Sequence, residues 1–144
     1  VARGFCVGAA VTFTISFFVE IKIYSLLIIA VTFFLTSIMF ALAGFINAVF
    51  AKTFDDISII PNFVLLPLTY LSGMFYSIDI LPSFWKGLSV FNPIFYMMDS
   101  FRLGFLGIGS VELWKAFLVP IFMIIVLAFA ANFMLNRGVS IKTE

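Results

Sequence analysis

From Ile23 to Ala51 the chain runs without one charged side chain, and most of the run is Leu, Ile, Phe, Val and Ala. A helix needs about 20 mostly apolar residues to cross ~30 Å of hydrocarbon at ~1.5 Å rise per residue. This stretch exceeds that need, with length left over to tilt or bend. Three further stretches approach it: Gly4 to Val19, Ile57 to Ile78 and Ala116 to Asn136. The first is slightly short, the second contains Pro61 and Pro67, and the last carries Pro120 in its first turns. None alternates with period two over ten-residue segments, so a transmembrane barrel is disfavoured. The expectation is an all-α, polytopic membrane protein with four transmembrane helices.

Composition closes off other classes. Of 144 residues 64% are hydrophobic, 19% aromatic and 10% charged. Soluble domains carry about 25% charged residues, so these cannot clothe a water-soluble globule. A net charge of +1 offers no footprint for nucleic acid. Cys6 is the single cysteine and there is no His, which removes a disulfide framework and the commonest zinc ligand and general base. No phosphate loop, HExxH motif or pair of catalytic carboxylates is legible, so no cofactor is expected and ATP-derived energy would come from another chain. The first residue is Val1 and a span begins almost at once, which reads as the carboxy-terminal part of a longer chain.

Glu20-Ile21-Lys22 and Lys52-Thr53-Phe54-Asp55-Asp56 form tight hairpins between the first three spans. The segment 79–112 that follows is different. Pro82 and Pro93 break it, yet Phe84, Trp85, Phe91, Phe95, Met97 and Phe101 make it too apolar for an aqueous loop. Irregular backbone at membrane depth is tolerated only when buried in protein or lining a wet cavity. Two short re-entrant or interfacial helices satisfy both constraints. Pro82-Ser83 opens the first. Asn92 and Pro93 supply the N-cap and first position of the second, because Asn accepts from orphan amides and Pro lacks the donor that would be orphaned. Gly104, Gly107 and Gly109 end it. Orientation is not legible: with alternating spans, Arg3, Lys52, Arg137 and Lys142 face Lys22, Lys86, Arg102 and Lys115, a tie. Discounting Lys86 and Arg102 as re-entrant tips the balance towards Lys52 being cytoplasmic.

Charges at membrane depth are functional candidates by default. Asp99 and Arg102 stand three apart on the second short helix, close enough to pair. They read as a polar latch or headgroup contact, or else as an interfacial pair stabilising a helix end. Pro67, Thr69, Ser72 and Gly73 interrupt the third span and suit either a bent pathway-lining helix or a packing kink. Asn47 reads as a cap or an interhelical bond. Gly4 with Gly8, and Gly44 with Ala48, are small-residue pairs suited to close packing within the chain. Trp85, Trp114, Tyr24, Tyr70, Tyr76 and Tyr96 include several that lie near span ends, as an interfacial aromatic belt requires.

The string from Ala51 to Gly107 resembles the carboxy-terminal half of an ABC type-2 transporter permease, in the bacterial inner-membrane branch with nodulation-factor, polysaccharide and drug exporters. The likeness lies in the proline-bearing span, GMFYS, Leu81-Pro82-x-Phe84-Trp85, then Phe91-Asn92-Pro93-x-x-Tyr96 and Arg102. It extends over most of the chain and weakens in the first and last spans. The resemblance implies six spans, of which these are the last four, a permease homodimer and a separate cytoplasmic ATPase on each permease. It implies an extracytoplasmic 79–112 segment with Pro82, Trp85, Asn92, Pro93 and Tyr96 as its motif, and cytoplasmic 52–56 and 137 onward. The amino-terminal interfacial helix, two spans and coupling helix would lie outside this sequence, and cargo ranges over lipids, glycans and drug-like molecules. The expected function is the membrane half of an ATP-driven exporter rather than an enzyme. The alternative is a passive channel or structural subunit; a lipid-modifying enzyme is weakened by the missing His and scarce paired acids.

Overall fold

A computed structural model describes residues 2–18, 23–51, 53–74, 80 and 82–136. The expected Glu20–Lys22 hairpin, Lys52, the stretch 75–79 and the tail from Arg137 lie outside them. The described residues are helical, without strands: α1 (Ala2–Ser16), α2 (Leu26–Phe50), α3 (Phe54–Ile60), a π-helical turn (Pro61–Leu65), α4 (Leu66–Tyr70), α5 (Ser83–Val90), α6 (Pro93–Leu106) and α7 (Leu113–Asn136).

Among the described residues only α2 and α7 are long and apolar enough, as single helices, to cross a membrane. Both are apolar all round, as helices facing hydrocarbon must be. Inside α2, Thr32 and Thr36 return their hydroxyls to the carbonyls of Ile28 and Thr32, each at 2.7 Å, so neither carries an unpaired donor among apolar neighbours. α1 is 15 residues long. It leans on α2 at Gly8, where an added Cβ would come within 2.4 Å of the Phe33 ring. Gly44, by contrast, has no described atom within 4 Å of the place its Cβ would take.

The core is the mutual packing of α2, α6 and α7. It is smaller in apolar content than the sequence suggests, because large hydrophobic side chains cover the outer surface instead. The crossing of α6 over the start of α2 depends on Gly104. A Cβ there would stand 2.6 Å from Ile29 Cγ1, so only glycine admits this approach. The Gly104 carbonyl accepts from the amides of Tyr24 and Ser25, both at 3.0 Å, two donors that precede α2. Gly104 thus lies inside α6 rather than ending it. The terminator is Gly107, in the left-handed region at φ 71°, with its amide on the Leu103 carbonyl at 2.9 Å.

The third expected span begins earlier and stops sooner than its hydropathy indicates. Thr53 caps α3 in a capping box with Asp56: the Asp56 amide donates to Thr53 Oγ1 at 3.3 Å, and the Thr53 amide to Asp56 Oδ2 at 2.9 Å. At the other end the helix closes after Tyr70, and Gly73 takes φ 74° to turn the chain away. Residues 54–70 form one continuous but broken helical element, ~25 Å long at ~1.5 Å per residue.

Candidate functional site

The break has a backbone cause. Proline gives no N–H, and its ring would strike the carbonyl four residues earlier in a straight α-helix. For Pro67 that carbonyl belongs to Phe63, inside the π turn. There the Leu66 amide reaches back five residues to Pro61, and the wider turn relieves the clash. Thr69 Oγ1 donates to the Leu65 carbonyl at 2.7 Å and favours the same bend. The end of α4 tightens: the Leu71 amide bonds Pro67 O at 3.0 Å, but the Ser72 amide bonds Thr69 O at 3.2 Å, one residue short of the α pattern. Ser72 Oγ also donates to Thr69 O, so neither group of Ser72 serves the Leu68 carbonyl. Such terminal carbonyls need other donors, the more so away from water.

Three side chains from α5, α6 and the turn between them supply those donors. Asn92, 2% exposed, donates Nδ2 to Leu68 O while its Oδ1 accepts from the Ile94 amide at 3.0 Å. One amide therefore closes the end of α4 and opens α6, with Pro93 in the first turn of α6 as expected. Ser89 Oγ lies 2.9 Å from Leu71 O and equally from Trp85 O, and its single proton serves either. Arg102 Nη2 donates to Gly73 O at 2.9 Å. Tyr96 Oη donates to Val90 O at 2.9 Å and closes the α5–α6 hairpin. Pro82 is the residue before α5 and gives it no side-chain cap, while the Trp85 indole is exposed. The structure thus gathers Ser72, Gly73, Asn92, Pro93, Tyr96 and Arg102 around the α4 end, with Pro67 and Thr69 just before it. Trp85 contributes its carbonyl alone.

The expected Asp99–Arg102 pair does not form. Helical spacing puts them one turn apart, yet each charged group is taken by backbone elsewhere. Both Asp99 carboxylate oxygens accept from the Ser110 amide, at 2.9 and 3.0 Å, and Oδ2 also accepts from Val111 at 3.0 Å. Asp99 is 2% exposed and fixes the connection leading into α7. Beside it a cleft of about 350 Å³ is lined by Lys86, Tyr96, Ser110, Glu112 and Lys115 among others. At its rim Lys115 Nζ lies 3.1 Å from Glu112 Oε2, and the Trp114 indole donates to the same oxygen at 2.6 Å. The hydrogen bond from Lys115, then that from Trp114, and the lysine charge hold the Glu112 carboxyl below its ordinary range.

The family model for the ABC-2 type transporter matches residues 1–106. The chain belongs to this family. Across 143 residues it is 49% identical to the inner membrane transport permease YadH of Escherichia coli (strain K12), and equally so to YadH of Shigella flexneri. The match covers 99% of this chain but 56% of each relative's length. No solved structure matches it. The chain is thus a permease-type component of the inner membrane. In this ABC-2 chain no group of three or more His, Cys, Asp or Glu that could hold a metal occurs among the described residues. What the site offers is a lattice of amide, hydroxyl and guanidinium donors aimed at carbonyls, suited to holding irregular backbone away from water.

Sequence reasoning missed Ser89 and the packing role of Gly104. Of the two roles read for Asn47, the structure shows the interhelical bond: it donates to the carbonyl of Ile57 at 2.9 Å. A signal for that partner was available. Pro61 and Pro67 in one apolar span leave specific carbonyls without their α-helical donor, and a side-chain amide on a neighbouring span is what could replace one.

Proposed function

We propose that this chain forms the carboxy-terminal membrane portion of an ATP-driven ABC export permease, with lipid, glycan or drug-like cargo. The observation that carries this reading is the broken helix 54–70 with the turn that ends it, where the carbonyls of Leu68, Leu71 and Gly73 are met by Asn92, Ser89 and Arg102. Such backbone belongs at membrane depth only beside protein or a wet cavity. Family membership supports the rest. α1, α2, the α3–α4 element and α7 are the last four of six spans, and α5 and α6 are re-entrant helices on the extracytoplasmic side. The α3–α4 element lines the route between two permease copies. A cytoplasmic ATPase binds each copy, and nucleotide binding and hydrolysis alternate which side of that route is open.

Two measurements test this. The full-length protein should co-purify with an ATPase subunit carrying a phosphate loop, and the complex should show vanadate-sensitive transport. Single cysteines, with Cys6 replaced, should be shielded from an impermeant thiol reagent in intact cells at Asp55 and labelled at Ser110. Labelling at Asp55 with protection at Ser110 would invert the topology. A full-length protein that moves solute without any ATPase would make it a channel.

A further inference from the structure

The bonds that hold the broken helix leave open the cleft of about 350 Å³ between the α5–α6 hairpin and the start of α7. Its charges come in both signs. Lys86 lines it from α5, and Glu112 and Lys115 from the start of α7; all three are exposed. Asp99 stands behind the wall, its carboxylate on the Ser110 and Val111 amides. Two cations and two anions therefore balance. A lone anion would lose to the carboxylates what it gains from the lysines, whereas a ligand carrying both signs gains at each. Glu112 has capacity for the positive end: Lys115 and the Trp114 indole both meet Oε2, at 3.1 and 2.6 Å, and Oε1 can accept from a ligand. Val90, Phe95 and Val111 give the cleft an apolar side. Next to it Leu113 and Trp114 are exposed on the first turn of α7, a helix long and apolar enough to cross a membrane. Lys115 Nζ lies 5.1 Å over the Trp114 ring. Trp and the stems of Lys mark the depth at which acyl chains meet headgroups.

We propose that this cleft binds the headgroup of a zwitterionic aminophospholipid, with the phosphate on the Lys86 and Lys115 ammonium groups and the lipid's primary amine on Glu112. This rests on reading α7 as a span of a membrane permease, and needs neither an ATPase nor a particular cargo. The volume falls at the lower end of the about 300–1,000 Å³ of small-molecule sites, which suits a headgroup whose acyl chains lie outside along α7. A primary ammonium donates hydrogen bonds to a carboxylate; a trimethylammonium of equal charge cannot. The site therefore prefers ethanolamine to choline headgroups. It also prefers ethanolamine to glycerol headgroups, which bring the phosphate without a positive end for Glu112.

The test gives full-length permease in detergent micelles equal amounts of phosphatidylethanolamine, phosphatidylcholine and phosphatidylglycerol with the same acyl chains, and counts the retained lipids by native mass spectrometry. Wild type should keep the ethanolamine lipid about fivefold over each of the others, the worth of one partly exposed charged contact. Glu112→Ala should bring the ethanolamine and choline lipids level. Lys86→Ala and Lys115→Ala should each lower retention of both about fivefold, while Asp55→Asn, outside the cleft, should change nothing. The three cleft side chains are exposed, so their variants should stay monodisperse. O-Phosphoethanolamine and inorganic phosphate separate a lipid from a soluble source of the same chemistry. Displacement of the lipid by either at equal concentration would mean a soluble ligand and overturn the proposal. So would a preference for the glycerol lipid, an ethanolamine preference that survives Glu112→Ala, or unchanged retention in either lysine variant. Vanadate-sensitive transport by a protein without the preference would remove the lipid site and spare the transport reading. The preference in a protein that shows no ATPase-dependent transport would do the reverse.

Discussion

Replacing Asn92 should separate the two bonds that one amide makes. Asn92→Ala removes the N-cap of α6, a loss of about 1 kcal/mol within a range of about 0.5–2. It also leaves the Leu68 carbonyl buried without a donor, which costs about 1–3 kcal/mol. The two add to roughly 1.5–5 kcal/mol if independent, and somewhat less where the helix end relaxes. Asn92→Ser keeps a capping oxygen for the Ile94 amide but is too short to reach from α6 to α4. It should lose only the second part, about 1–3 kcal/mol. Asn92→Asp keeps the cap as well, but turns an acceptor towards the Leu68 carbonyl and should be worse than Ser. The order wild type, Ser, Asp is read as the fraction of full-length protein that stays monodisperse in detergent after a graded heat step. Ser indistinguishable from wild type would show that the Leu68 bond contributes nothing. Ala indistinguishable from Ser would show the same of the cap.

Four more outcomes follow from the geometry. Asp99→Ala and Arg102→Ala share no partner, so the double variant should show the summed loss in the same heat assay, with a coupling below about 0.5 kcal/mol; recovery in the double would restore the ion pair that the structure lacks. Arg102→Ala alone should lose about 1.5–3 kcal/mol, the worth of a charged donor on the Gly73 carbonyl, and Arg102→Lys should retain part of it. Gly104→Ala places a Cβ 2.6 Å from Ile29 Cγ1 and should cost about 1–3 kcal/mol through overpacking, partly relieved by Ile29→Val. Glu112 is held below its ordinary range, so its contact with Lys115 is present above the ordinary glutamate pKa and lost as pH falls through the lower folded value. Because the group is exposed, Glu112→Gln should leave the pH dependence of folded yield unchanged.

Local chemistry was legible and through-space pairing was not. The length of α2 follows from a charge-free run, whereas α7 starts at Leu113, three residues before the expected Ala116, and takes in Lys115; the start of α6 follows from Asn92 and Pro93, whose roles need only neighbours in sequence. The end of α6 narrowed to three glycines, of which φ 71° selects Gly107. The capping box of Thr53 and Asp56 was equally local, but hydropathy averaging hid it and moved the expected helix start to Ile57. Spacing alone misled at Asp99 and Arg102. A three-residue offset brings two side chains to one face, yet the loop amides at Ser110 and Val111 and the carbonyl at Gly73 come near only through tertiary folding. Gly104 was read as a stop because glycine weakens helices. Its actual use, admitting Ile29, needs the partner helix to be known.

The placement of donors fixes the broken helix at both ends. Ile57 O is served from α2, while Leu68, Leu71 and Gly73 are served from the α5–α6 hairpin. These suppliers are themselves joined, because the Gly104 carbonyl of α6 takes the two amides at the start of α2. One frame therefore grips both ends of the 54–70 element. The backbone of Pro61–Leu65 is met by Thr69 of α4, whose Oγ1 donates to the Leu65 carbonyl at 2.7 Å. In a medium without water, a segment left to its own internal hydrogen bonds can change register at little cost only if it exchanges one complete set for another. The turn bracketed by Pro61 and Pro67 fails that condition, because in an α register the Phe63 carbonyl would face the Pro67 ring with no amide to accept from. The neighbouring α segments fail it too, since any shift there would strip the carbonyls that Asn47, Asn92, Ser89 and Arg102 satisfy. The π form is thereby held from both sides, while the Phe63 side chain stands clear of the frame.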